Sequence, residues 1–309
     1  MAAITVIRAG MLTTVQDLGR WGQQHLGVPV AGPMDWYSHR LANRLVGNTD
    51  ETAALEITLL GPELTADADA VCAVAGAAFE LAANGAAVPL HVAFTLPRGH
   101  RLAFRSRGAG ARATLAVRGG LAVPAVFGSR ATSLISDVGP FGGRALRAGD
   151  VLPIGRPSMS TRPPGRPLEM PLDGARLRVL WGPHDDRFTP DAVRALHESR
   201  YTISPDSNRM GYRLDGAVLA TTPTGSADML SDATPVGSLQ VPPSGLPILL
   251  MADRQTTGGY PRIATVISAD LPLAGQLAPG DWIEFVPTTR PAAIDALRRR
   301  HAALAGEGA

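Results

Sequence analysis

The chain has 309 residues, 45% of them hydrophobic and 18% charged, with a net charge of +2; it carries ample apolar surface to bury and too little charge to stay unfolded. All 29 basic residues are arginine and none is lysine, which excludes Schiff-base chemistry, a P-loop lysine on a nucleotide phosphate, and biotin or lipoate attached to this chain. The arginines are spread thinly, with no run longer than Arg298-Arg299-Arg300, so no nucleic-acid partner is expected.

With 34 glycines and 26 prolines, many short strands and turns are expected. Residues 1–8 read as a strand with an early charge and lack the apolar core of a signal peptide, which predicts a cytoplasmic protein. Pro33 opens a helix whose face carries Met34, Tyr37, Leu41 and Leu45, and Gly47 stops it. Cys72, the only cysteine, sits in the apolar run Val71–Phe79 and reads as a buried thiol. Arg101–Phe104 and Ala113–Val117 read as strands, with Gly108-Ala-Gly110 as a hairpin turn between them. The Pro/Ser/Arg-rich stretch 156–171 reads as a linker. After it, Leu177–Trp181 reads as a strand. A helix follows from Thr189 as cap through Pro190 to about Ser199, and Ile248–Ala252 and Ile263–Ile267 are buried strands. The uncharged stretch from Ala233 to Ala252 contains Pro235, Pro242, Pro243 and Pro247 and cannot be a membrane helix. A last helix covers residues 291–304, with Ile294, Leu297 and Leu304 inward. The two halves end alike, in Leu146-Arg-Ala-Gly-Asp150 and Leu277-Ala-Pro-Gly-Asp281, each feeding an alternating strand. The expected fold is mostly β, as two β-barrel or sandwich domains with a few short helices. The expected boundaries are an N-terminal domain over 1–155, a linker over 156–171, a C-terminal barrel over 172–290, and a helix and tail over 291–309.

Seven histidines never adopt zinc-helix spacing and there is no nucleophile elbow. His184-Asp185-Asp186 is the best metal candidate by residue type, but three adjacent turn residues rarely face one ion. No metal is expected.

Four segments carry a resemblance. Thr13-Thr-Val-Gln-Asp-Leu-Gly-Arg-Trp-Gly22 leads into Gly27–Asp35 and Asn43–Asn48; Gly119-Gly120 is followed by Gly128-Ser-Arg130; Ser207–Leu214 reads SNRMGYRL; and Ala252–Pro261 reads ADRQTTGGYP, ahead of Ala269-Asp-Leu-Pro272. Together they resemble the KipA family of allophanate hydrolase second subunits, which are biotin-dependent carboxyltransferase-like proteins and whose stand-alone bacterial members are C-type 5-oxoprolinase subunits. The resemblance implies cyclophilin-like β-barrels, a separately encoded KipI-like B-type subunit and an A-type subunit. The assembly it implies opens 5-oxo-L-proline to L-glutamate with ATP bound by the complex and no cofactor attached to this chain. The alternatives are a carboxyltransferase subunit served by carboxybiotin on a partner chain, or a non-catalytic regulator that binds a KipI-like protein. Relatives often carry Lys where this chain has Arg262, whose guanidinium stays charged and cannot accept a proton.

The most site-like piece is the loop Gln255-Thr-Thr-Gly-Gly-Tyr260, which offers an amide, hydroxyls, a phenol and a backbone open to close approach. Asp253, Gln255 and Tyr260 are the candidate catalytic residues. Gln240, Thr256, Thr257, Gly258, Gly259, Arg209, Tyr212 and Arg130 are the candidate substrate-binding ones, Gln240 as an amide partner for a lactam or ureido group and the arginines as carboxylate binders. Arg40 is a further anion candidate, while Asp35 and Ser38 read as helix caps.

Overall fold

The computed structural model describes residues 2–157, 162–223 and 229–307. They form two compact units: residues 1–21, 31–172 and 301–309, and residues 22–30 and 173–300. The stretch 156–171 groups with the first unit, where Leu168 is buried and the Arg166 N–H donates to the Ala303 carbonyl at 3.2 Å; residues 158–161 of it lie outside the described residues.

The first unit holds strands β1 (Ala3–Arg8), β2 (Leu12–Gln16), β3 (Ala54–Thr58), β4 (Glu63–Ala66), β5 (Ala70–Gly76), β6 (Phe79–Ala83), β7 (Ala86–Val88), β8 (Phe94–Leu96), β9 (Arg101–Arg107), β10 (Arg112–Val117) and β11 (Val151–Pro153). They make a six-stranded sheet, in the order β11-β1-β4-β9-β6-β7, and a five-stranded sheet, β2-β3-β10-β5-β8. One core draws on both, with Ile4, Leu64 and Leu102 from the first sheet and Val15, Leu55, Val74 and Leu115 from the second. Because β9 and β10 belong to different sheets, Gly108–Gly110 is a link between sheets and not the hairpin turn expected from its sequence. Cys72 is buried in β5, and desolvation pushes its thiol up to about 12, which leaves it inert.

Helix α1 (Trp36–Leu45) packs on this unit. Asp35 caps it, its Oδ1 accepting from the N–H groups of Tyr37 (3.0 Å) and Ser38 (2.9 Å) while Oδ2 accepts from the Ser38 hydroxyl. The apolar face is as the spacing predicts, with Tyr37 and Leu41 buried. Gly47, at φ 77°, ends the helix in the left-handed region.

The second unit holds β12 (Gly174–Trp181), β13 (Arg200–Ile203), β14 (Gly211–Asp215), β15 (Asp232–Ala233), β16 (Ser238–Gln240), β17 (Ile248–Leu250), β18 (Thr257–Gly258), β19 (Arg262–Val266) and β20 (Trp282–Pro287). Seven of them close a barrel in the order β12-β19-β16-β17-β14-β13-β20, while β15 and β18 pair as a separate ribbon. The parallel pairing of β12 with β20 makes the closure, setting Ala175 against Ile283 and Leu177 against Phe285. Alternation does the rest: Leu177, Val179, Tyr201, Ile203, Tyr212, Leu214, Ile283 and Phe285 are buried at every second position of their strands, and Leu239 and Leu249 are buried in β16 and β17. The mostly β reading therefore holds, with hydrogen bonding closing the barrel of the second unit and leaving the first as two sheets.

Helix α2 (Pro190–Glu198) is capped by the Thr189 hydroxyl, which accepts from the Ala192 N–H at 3.2 Å. A short helix α3 (Leu271–Ala274) was not signalled by the sequence, and α4 spans Arg290–Leu304. Its inward stripe holds at Leu304, which is buried, and at Leu297, which with Ala293 and Ala296 packs on Ile267 and Ala269, but differs at Ile294, which is 43% exposed. The alanines let the helix backbone come close, so the larger isoleucine is left at the rim. Among the described residues, no helix is long and apolar enough to cross a membrane.

The two Gly-Asp turns have one geometry. In the first, Asp150 accepts from the Arg147 N–H at 2.7 Å behind Gly149 at φ 90°; in the second, Asp281 accepts from the Ala278 N–H at 2.8 Å behind Gly280 at φ 92°. The positive φ requires glycine in both turns, and each launches a strand, β11 and β20.

Candidate functional site

On the outer face of the barrel, β14, β16 and β17 and the loop after β17 enclose a cleft of about 140 Å³. That is well below the roughly 300–1,000 Å³ of pockets for drug-sized ligands and restricts it to a compact molecule. Its lining includes Gln240, Gln255 and Tyr260 together with Met210, Ile248 and Leu250.

The polar end is a pair of amides. Gln255 Nε2 donates to Gln240 Oε1 at 2.9 Å. Gln240 is only 2% exposed, and its own Nε2 is buried without a hydrogen-bond partner, an arrangement that costs about 1–3 kcal/mol unless something accepts the bond. Gly258 lies against this pair. A Cβ there would sit 2.6 Å from Gln240 Nε2 and 3.1 Å from Gln255 Nε2, so the residue is glycine because side-chain amides fill the space, and its φ is not positive. Tyr260 is 40% exposed at the rim.

The loop is strapped from behind by the β15–β18 ribbon, which sets Asp232 against Gly258 and Ala233 against Thr257. Thr234 bonds the loop twice, its hydroxyl donating to the Gln255 carbonyl and its N–H to the Thr256 carbonyl at 3.1 Å. Two buried guanidiniums hold the strap: Arg254 Nε donates to the Thr234 carbonyl at 2.7 Å, and Arg262 reaches the Ala233 carbonyl and the Asp232 carboxylate. Burial pulls Arg254 down to about 10, with neighbouring Asp253 opposing. Arg262 is thus an electrostatic brace. Its backbone N–H donates to His184 Nδ1 at 3.2 Å, which turns the His184 ring toward backbone.

The remaining expected residues fall elsewhere. Asp253 is 1% exposed and does not line the cleft; its two oxygens accept from Arg209 Nε and Nη2, both at 3.1 Å, and Arg209 is itself 4% exposed. These two residues anchor the base of the loop. Tyr212 points into the barrel, its hydroxyl 3.1 Å from the Ala274 carbonyl and 3.2 Å from that of Leu277. Thr257 is exposed and Gly259 lies beside the Met229 carbonyl. Arg130 belongs to the first unit, where Nε donates to the Val123 carbonyl at 2.7 Å. Arg40, in the same unit, stacks over Trp36 at 4.9 Å.

Sequence reasoning missed Asp206, Asn208 and Arg213, which also line the cleft. The signal was present for Arg213. In β14, buried Tyr212 and Leu214 alternate with exposed Arg213, so if Tyr212 faces the core, Arg213 faces out.

The second unit is thus a closed β-barrel with an amide-lined cleft on its wall. Residues 26–287 match the family model for the carboxyltransferase domain, subdomain A and B, and the chain belongs to this family. It is 40% identical to the C-type subunit of 5-oxoprolinase from Escherichia coli (strain K12) over 293 residues, 95% of this chain and 94% of that protein. Among solved structures, the Kluyveromyces lactis urea amidolyase superposes with a TM-score of 0.89 at 32% identity, over 99% of this chain and 20% of that one. TTHA0988 superposes at 0.82 with 41% identity, over 93% of this chain and 55% of that one. This chain therefore spans about half of the second and a fifth of the first.

Proposed function

We propose that the chain is the C-type subunit of a multi-subunit, ATP-dependent 5-oxoprolinase, and that the cleft beside Gln240 holds the substrate. In the net reaction one water adds across the lactam C–N bond of 5-oxo-L-proline to give L-glutamate, while a second water hydrolyses ATP to ADP and phosphate. The observation that carries the reading is Gln240, which lines a cleft sized for a small ring and whose buried Nε2 has no hydrogen-bond partner. It is a donor waiting for a carbonyl, held in orientation by Gln255, and it would polarise the lactam bond as that bond is opened. Near full-length likeness to a C-type 5-oxoprolinase subunit supports it, since both chains are covered almost end to end.

The absence of lysine leaves this chain without a P-loop lysine or an attachment site for biotin; in this reading it works with a KipI-like B-type subunit and an A-type subunit, with ATP bound by the assembly. A second reading, carboxyl transfer from carboxybiotin on a partner chain, is favoured by the fit to urea amidolyase. Reconstitution separates the two. The three-protein assembly is expected to hydrolyse ATP only when 5-oxoproline is present and to be insensitive to avidin, with each component silent alone. Avidin inhibition together with urea-dependent turnover supports the second reading instead.

A further inference from the structure

The barrel register places three outward side chains in one row. Arg213 of β14 pairs with Ile248 of β17, and Ile248 pairs with Gln240 of β16; with strands spaced about 4.8 Å apart, Arg213 and Gln240 start about 10 Å apart across Ile248. At one end of the row stands the buried amide donor without an acceptor. At the other, Arg213 is exposed and its bonds to neighbours are made by its backbone, the N–H donating to Ser207 Oγ at 3.0 Å and the carbonyl accepting from it. Among the described residues its guanidinium has no carboxylate partner, although Asp206 shares the cleft lining. Between the two ends lies an apolar platform of Ile248 and Leu250.

A guanidinium pairs with a carboxylate in a fixed fork, and a buried amide donor takes a carbonyl oxygen. We infer that the cleft recognises a small cyclic amide bearing a carboxylate by two-point contact, with the ring on Ile248, the ring carbonyl accepting from Gln240 Nε2, and the carboxylate paired with Arg213. This rests on the substrate reading proposed above and adds a specificity-determining residue to it. A neutral amide such as urea has nothing for Arg213 to hold, so this residue favours a carboxylate-bearing lactam over urea in this cleft.

The test is calorimetric titration of the full chain with 5-oxo-L-proline, with 2-pyrrolidinone, which is the same lactam without the carboxylate, and with L-proline, which lacks the lactam carbonyl. The KM of the reconstituted assembly for 5-oxoproline is measured beside it. 5-Oxoproline is expected to bind at least tenfold more tightly than either analogue. Arg213→Gln should bind 5-oxoproline no better than 2-pyrrolidinone and raise KM tenfold or more at an unchanged melting temperature, with Arg213→Lys restoring part of the loss. Equal affinity for 5-oxoproline and 2-pyrrolidinone, or no binding of either, overturns the inference. So does an Arg213→Gln variant with the original affinity and KM; if the assembly still turns over 5-oxoproline, the proposed function then stands and only Arg213 is dismissed. An assembly that carboxylates urea and ignores 5-oxoproline removes the proposed function and this inference with it.

Discussion

Gln255 Nε2 donates to Gln240 Oε1 at 2.9 Å, and that bond determines which end of the Gln240 amide is left to meet a ligand. A carboxamide has one acceptor oxygen and one donor nitrogen, so engaging the oxygen leaves the buried Nε2 as the group on offer.

Gln255→Ala should therefore disorient Gln240 more than it weakens the fold. The expected loss in kcat/KM of the reconstituted assembly is ten- to a hundredfold, corresponding to about 1–3 kcal/mol for an unmade hydrogen bond. Coupled ATPase activity read beside the melting temperature checks it; full activity places the substrate elsewhere.

Gly258→Ala should act on the same pair by crowding. The added methyl meets the ends of two flexible amides and the Thr234 methyl, and not backbone, so the side chains give way and stability changes little, whereas the Gln240 amide is displaced. Turnover is expected to fall at least as far as in Gln255→Ala, with a melting temperature close to that of the parent.

Asp253→Asn should fail in the opposite manner. Taking the bidentate carboxylate from a buried guanidinium typically costs about 3–5 kcal/mol, so thermal unfolding should show a clear drop in stability. A stable variant with abolished turnover would instead support a catalytic role for Asp253.

Acid should destabilise the chain through His39 in the first unit. Burial pulls this imidazole down to about 4, with Asp17 opposing, and Asn43 Nδ2 lies 3.2 Å from its Nε2. Between pH 6.5 and 4 the unfolded chain holds a proton that the folded chain refuses. Stability is therefore intact above pH 6.5 and falls as pH drops through this window, by about 3 kcal/mol at its end. Melting temperatures from pH 7 to 4 should fall less steeply in His39→Gln; parallel curves for the two proteins would contradict this.

Local chemistry was legible in the sequence. The caps at Asp35 and Thr189, the stop at Gly47 and the matched turns at Gly149-Asp150 and Gly280-Asp281 each depend on residues within a few positions of one another. The exclusion of lysine chemistry was equally plain, as was the loop containing Gln255, whose motif also carried the family. The choice of face was not legible. Alternation in β14 shows that Tyr212 and Arg213 point opposite ways, but only closure of the barrel decides that Tyr212 meets the carbonyls of Ala274 and Leu277 while Arg213 meets the cleft. Likewise Asp253 looked like a proton carrier beside the loop until folding brought Arg209, 44 positions earlier, against both of its oxygens. Sequence determined which groups this protein possesses and its local turns and caps. Tertiary structure decided which groups are spent on one another and which remain for a ligand, because hydrogen-bond partners and burial are set by strands far apart in the chain.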